Sequence, residues 1–170
     1  MIERGKFAEL HCLSNYSFLR GASHPEELVY KASDLGYSAI AITDECSYSG
    51  LVKAHVAAKQ CGIKLIVGAE FFVDIAHGEE KNSVENIIML APTRQAYGQL
   101  SAFISKIRRK NQKGNSYLCY EDCQIGLSDC LILWSPELQD IDIQVSVGHK
   151  LKTIFQHFWI TLELFQDGFD

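Results

Sequence analysis

Nowhere in this 170-residue sequence does an apolar run approach the roughly 18 residues that a membrane-spanning helix needs, so no membrane role is expected. The start, Met-Ile-Glu-Arg-Gly-Lys, lacks the apolar core of a signal peptide. There is no C-x-x-C pair among Cys12, Cys46, Cys61, Cys119, Cys123 and Cys130. Cys119, Cys123 and Cys130 come nearest to a zinc pattern, but no histidine or fourth cysteine follows at ligand spacing. Reduced thiols in a cytoplasmic chain are the expectation. Positive charge is not in excess either. The net charge of −5 excludes a general nucleic-acid magnet, so any DNA or RNA contact must be local. No Gly-rich phosphate loop of the Walker or dinucleotide type occurs, and neither does an internal repeat. What remains is an ordinary globular composition, 47% hydrophobic and 22% charged, long enough for one domain with a real core.

Strand and helix signals alternate along the chain. Residues 7–13 read as a first strand. Pro25 opens a helix over about 25–35, Glu26 and Glu27 complement its dipole, and Gly36 ends it, with Leu28, Val29, Ala32 and Leu35 at helical spacing. Residues 38–43 form a second strand running into Asp44 and Glu45. A helix from about 51 to Gly62 is expected to bury Leu51, Val52, His55 and Val56, making His55 a core histidine. A third strand over 64–68 places Glu70 at or just past its end, and the apolar character continues through Val73. The polar stretch 77–83 is the best candidate for a mobile excursion.

Residues 86–91 make a fourth strand, stopped by Pro92. Thr93 then caps a long helix to about 110, carrying Tyr97, Leu100, Phe103, Ile104 and Ile107 inward. Its basic end (Lys106, Arg108, Arg109, Lys110, with Lys113 beyond) meets the helix dipole or, alternatively, forms a small phosphate contact. Tyr120–Asp122 reads as a short helical piece, 130–134 as a fifth strand, 148–157 as a helix and 158–164 as a sixth strand. The alternation predicts an α/β domain with a parallel sheet. A parallel sheet wants both faces covered, yet the sequence stops soon after a strand, so the front part of a larger domain is expected.

Three strand ends bring His11, then Asp44 and Glu45, then Glu70 toward one rim. One imidazole and three carboxylates can bind a divalent metal and activate a water. The bland alternative is that Asp44 and Glu45 cap the next helix while Glu70 bonds a loop. His24, His55, His77, His149 and His157 show no ligand spacing. Cys12, adjacent to His11 on a strand, points to the opposite face, which removes a nucleophile–base pair.

The stretches Glu9–Gly21 (ELHCLSNYSFLRG), Ala22–Leu28, Ala41–Glu45 (AITDE) and Lys64–Glu70 (KLIVGAE) together resemble the N-terminal PHP (polymerase and histidinol phosphatase) domain of bacterial C-family DNA polymerases. The wording of 11–17 and 43–47 is most similar to the error-prone, translesion branch, and 97–100 and 159–164 continue the likeness. The resemblance implies an α/β fold, a PHP-type (β/α)7 barrel represented by its N-terminal portion. It implies rim metal sites that, in active members, hydrolyse phosphoesters or proofread in the 3′–5′ direction.

Residue by residue, the resemblance implies a degenerate rim site made of His11, Asp44, Glu45, Glu70 and Arg20. His11, Asp44 and Glu70 stand where ligands stand. Leu13 replaces a second histidine, Arg20 an acid, Glu45 a histidine, and Asn86 the histidine of the fourth strand, while a thiol ligand gives way to the Ser135–Glu137 neighbourhood. The expectation is therefore no catalytic residue and no cofactor in this chain. Zinc or manganese on His11, Asp44 and Glu70 would enter only with an active site, and Mg2+ belongs to the parent polymerase. The implied partners are the remainder of the polymerase chain, DNA through that parent, and a second copy through the open barrel edge. A stand-alone metal phosphoesterase and a pure scaffold are the competing readings.

Overall fold

The computed structural model describes residues 7–75, 84–112, 114–124, 126–136 and 141–162. The elements run β1 (Ala8–Glu9), α1 (Pro25–Asp34), β2 (Ala39–Ile42), α2 (Leu51–Cys61), β3 (Lys64–Asp74), β4 (Val84–Ala91), α3 (Arg94–Lys110), β5 (Leu118–Cys119), a 3-10 turn (Tyr120–Gln124), β6 (Leu131–Ser135), α4 (Ile141–Ile154) and β7 (Phe158–Ile160). One sheet has the order β1-β2-β3-β4-β6-β7, with β5 attached to β3.

The sheet is mixed, not parallel as the alternation suggested. β4 runs antiparallel to both β3 and β6, while β1–β2, β2–β3 and β6–β7 are parallel. The reason is connection length: the link 75–83 between β3 and β4 is shorter than the dozen or so residues a parallel crossover requires. β3 also extends through Asp74, pairing with β4 from Val67↔Ala91 to Asp74↔Val84. Glu70 thus lies inside a strand, not at its end.

Alternation along the strands sorts side chains to two faces. On one face Phe71, Val73, Ile87, Met89, Ile132 and Trp134 pack against α3 and α4 residues such as Leu100, Phe103, Ile107 and Leu151. On the same side α1 and α2 cover Ile40 and Ile42 with Val29, Ala32, Ala54, Ala57 and Ala58. The opposite face carries Ala41, Ile88, Leu90 and Leu133, with Ile66 and Leu131 packed beside them. An apolar cavity of about 520 Å3 lies on that face, lined by Leu10, Ile66, Leu90, Leu133, Trp159 and Ile160 among others.

Helix α2 buries a different stripe from the one expected. Alanines 54, 57 and 58 face inward, whereas Val52, His55 and Val56 are exposed. Small side chains let α2 sit close against α1, so three alanines outcompete two valines, and His55 is a surface histidine. Tyr97 is likewise part-exposed, stacked on Tyr48 at 5.2 Å. Helix α4 begins at Ile141, earlier than expected, and ends at Ile154. β1 is far shorter than the expected 7–13, which leaves His11 just beyond the paired segment. The stretch 77–83, Glu137 and residues 163–170 lie outside the described residues.

Candidate functional site

Glu70 is the centre of the rim and is fully buried. The β3–β4 register fixes its neighbourhood: Glu70 lies opposite Ile88 and Phe72 opposite Asn86, so all four share the face that bears no helix. Asn86 Nδ2 donates to Glu70 Oε2 at 3.3 Å. His11 reaches the same oxygen through Nε2 at 2.7 Å. The other oxygen, Oε1, takes a close ion pair from Arg20 Nη1. That guanidinium also stands 3.5 Å from Glu45 Oε2 and lies 4.9 Å above the Phe72 ring. Burial alone pushes the Glu70 carboxyl up, yet the hydrogen bonds from His11 and Arg20 and the Arg20 charge together hold it below its ordinary range. Burial works against the Arg20 cation, but its bond and charge contact with Glu70 keep it above the ordinary arginine value.

Asp44 belongs to a different arrangement. Its Oδ1 accepts from Ser14 N at 2.8 Å and Ser17 Oγ at 2.8 Å, and its Oδ2 from Ser14 Oγ at 2.7 Å. Ser17 Oγ in turn accepts from Glu45 N at 3.0 Å. Asp44 therefore ties the loop after β1 to the loop after β2 and does not cap α2, whose N-cap is Gly50. Gly21 closes that loop so tightly that a Cβ there would lie 2.0 Å from the Ser14 carbonyl oxygen. The loop after β2 then joins β3: Cys46 N donates to Glu70 O at 2.9 Å and Glu70 N to Asp44 O at 3.3 Å.

Glu45 is held from a third direction. Ser116 Oγ donates to Glu45 Oε1, while Arg108 of α3 donates to the carbonyls of Glu45 and Cys46, both at 3.0 Å. Three residues of the basic helix end thus serve internal contacts: Arg108 here, and Lys106 and Lys110, which pair with Asp122. Arg108 and Ser116 were not foreseen as site residues. They lie 63 and 71 positions from Glu45, and no local pattern announces such a contact.

Of the expected set, then, His11, Glu70, Arg20 and Glu45 converge, while Asp44 is turned toward two serines. The donors do not fit a divalent ion. Both Glu70 oxygens are engaged, a fixed cation lies between the two glutamates, and among the described residues no three His, Cys, Asp or Glu side chains form a metal-holding group.

A mixed α/β sheet, helix-covered on one face and, among the described residues, ending at β1 and β7, with polar residues converging at the rim, defines part of a PHP-type barrel. The chain belongs to the PHP domain family, whose model matches residues 9–149. It is 47% identical over 158 residues to an error-prone DNA polymerase of Idiomarina loihiensis, an alignment covering 92% of this chain but 14% of that protein. An error-prone DNA polymerase of Methylococcus capsulatus is 45% identical over 166 residues, covering 96% and 15% respectively. This chain thus spans about one seventh of the curated relatives it matches. Among solved structures, an amidohydrolase from Chromobacterium violaceum with bound sulfate and no metal superposes with a TM-score of 0.63 at 16% identity, covering 89% of this chain and 75% of that one. A two-domain protein from Bacteroides vulgatus, containing a predicted PHP-like metal-dependent phosphoesterase, gives 0.51 at 15% identity over 84% and 41%. At such identities these two carry the fold alone.

Proposed function

We propose that this chain is the N-terminal module of an error-prone DNA polymerase, whose remaining polypeptide performs Mg2+-dependent, template-directed nucleotidyl transfer in lesion bypass, DNA repair and replication. The module itself supports that polypeptide, contacts DNA only through it, and works in the cytoplasm. Its rim is a degenerate metal site without catalytic residues. The observation that carries this reading is Arg20, whose guanidinium contacts Glu70 and Glu45 at once. At an effective dielectric of about 20, two unit positive charges 4 Å apart repel by roughly 4 kcal/mol, so a divalent ion and Arg20 exclude one another. Leu13 adds no donor. No helix among the described residues is long and apolar enough to cross a membrane.

The alternative of a metal-dependent phosphoesterase or 3′–5′ exonuclease draws on one observation, the imidazole and carboxylate of His11 and Glu70 meeting at 2.7 Å. Metal analysis of the purified chain, with a phosphodiesterase assay in added zinc or manganese, separates the two. Sub-stoichiometric metal and no turnover are expected; stoichiometric metal with turnover would overturn the proposal.

A further inference from the structure

Outside the rim, one juxtaposition places a nucleophilic sulfur against an amine. Cys119, the last residue of β5, has its Sγ 3.4 Å from the Nζ of Lys110 at the end of α3. Asp122 Oδ2 touches both, at 2.5 Å from Nζ and 3.0 Å from Sγ. Lys106 stands 3.8 Å from the other Asp122 oxygen. The remaining thiols differ. Burial pushes Cys12, Cys46 and Cys130 up to about 11 and Cys123 to about 12, which leaves them inert at neutral pH. Cys61 is engaged with the Ala57 carbonyl at 3.1 Å. Cys119 alone among the described cysteines combines partial exposure with an adjacent cation.

We propose that Cys119 and Lys110 form a reversible, peroxide-driven covalent cross-link, a modification site distinct from the rim. In the first step Cys119 Sγ attacks hydrogen peroxide. The O–O bond breaks, sulfur is oxidised by two electrons to the sulfenic acid, and one water leaves. In the second step Lys110 Nζ attacks that sulfur, an S–N bond forms, the S–O bond breaks, and the hydroxide leaves as a second water. The amine starts as an ammonium paired with Asp122, so one proton passes along the 2.5 Å contact to the carboxylate and from there to the leaving hydroxide, and the newly bonded nitrogen releases a second proton to solvent. This step follows sulfenic acid formation, because only the oxidised sulfur is electrophilic and carries a leaving group. Sulfur and nitrogen need no backbone rearrangement to meet, since the lysine head is half exposed and at the free end of a flexible stem.

The link has a structural consequence. It would close residues 110–119 into a ring, and that ring contains Ser116, which holds Glu45 at the rim, while Arg108, two residues before Lys110, holds the Glu45 and Cys46 carbonyls. Oxidation therefore clamps the segment that positions one side of the rim.

The test treats the 170-residue chain with hydrogen peroxide, blocks free thiols, and maps proteolytic fragments by mass spectrometry without reductant. The expected product joins the fragments bearing Lys110 and Cys119 at a mass two hydrogens below their sum, and dithiothreitol releases it. Lys110→Gln should abolish the link and leave Cys119 open to a sulfenic-acid-specific dione; Cys119→Ser should abolish both signals. Overturning results are a wild-type Cys119 recovered as an unlinked sulfenic or sulfinic acid, as a disulfide, or unoxidised.

Discussion

Replacing Arg20 with methionine removes the guanidinium that contacts buried Glu70 while keeping an apolar stem over Phe72. Deleting one partner of a buried ion pair costs about 3–5 kcal/mol, because the other charge is stranded. Arg20 keeps a third of its side chain in solvent, so screening reduces that figure. His11 and Asn86 also remain on Glu70 Oε2. A loss of about 2 kcal/mol at pH 7 is the resulting expectation, equivalent to a fall of about 4–8 °C in Tm for a domain of this size. The pH dependence carries a definite sign. In the wild type Glu70 is held below its usual 4.5, so its contribution is present above the unfolded value and is lost as pH falls through the folded one. In Arg20→Met burial dominates and the carboxyl moves up, so the variant regains stability as pH falls toward and below 4.5. Urea unfolding followed by tryptophan fluorescence across a pH series should show the gap widest near pH 7 and closing in acid. Equal midpoints at pH 7, or a gap that does not change with pH, would refute the ion-pair account.

Ser17→Ala removes the hydroxyl that donates to Asp44 and accepts from Glu45 N; a loss of about 1–3 kcal/mol is expected in urea titration, and Thr at this position should recover part of it. Gly21→Ala forces a methyl onto the Ser14 carbonyl and should leave the chain largely insoluble, or lower its Tm by more than Arg20→Met does. The apolar cavity bounded by Trp159 and Ile160, together with the β7 edge that no described strand pairs, should make the chain self-associate as concentration rises. Light scattering after size exclusion measures this, Ile160→Asp should weaken it, and a clean monomer at every concentration would refute it.

How legible each element was depended on the range of the interactions that shape it. α1 was readable because Pro25, Glu26 and Glu27 act locally at its start, and α3 because Thr93 accepts from Ala96 N within one turn. The buried face of α2 was misread because Val52 and Val56 looked more apolar than Ala54, Ala57 and Ala58. What decided the face was how closely α1 and β2 approach, which no hydropathy pattern encodes. The antiparallel β3–β4 pair was hidden because the alternation of strands and helices suggested a parallel sheet, whereas direction followed from the short link between these two strands.

The rim divides in the same way. From the sequence alone came the family, the candidate rim residues His11, Arg20, Asp44, Glu45 and Glu70, and the expectation, from the resemblance, that Leu13 and Arg20 replace ligands, since these rest on residue type at a position. The partners were settled only by tertiary structure. Asp44 went to Ser14 and Ser17, Arg20 to Glu70 and Glu45, and Arg108 crossed from α3 to the Glu45 and Cys46 carbonyls. A buried carboxylate must find a donor or a cation, but chain order does not say which one. Strand register and loop closure, which bring residues 25 to 63 positions apart within reach of one another, made that choice.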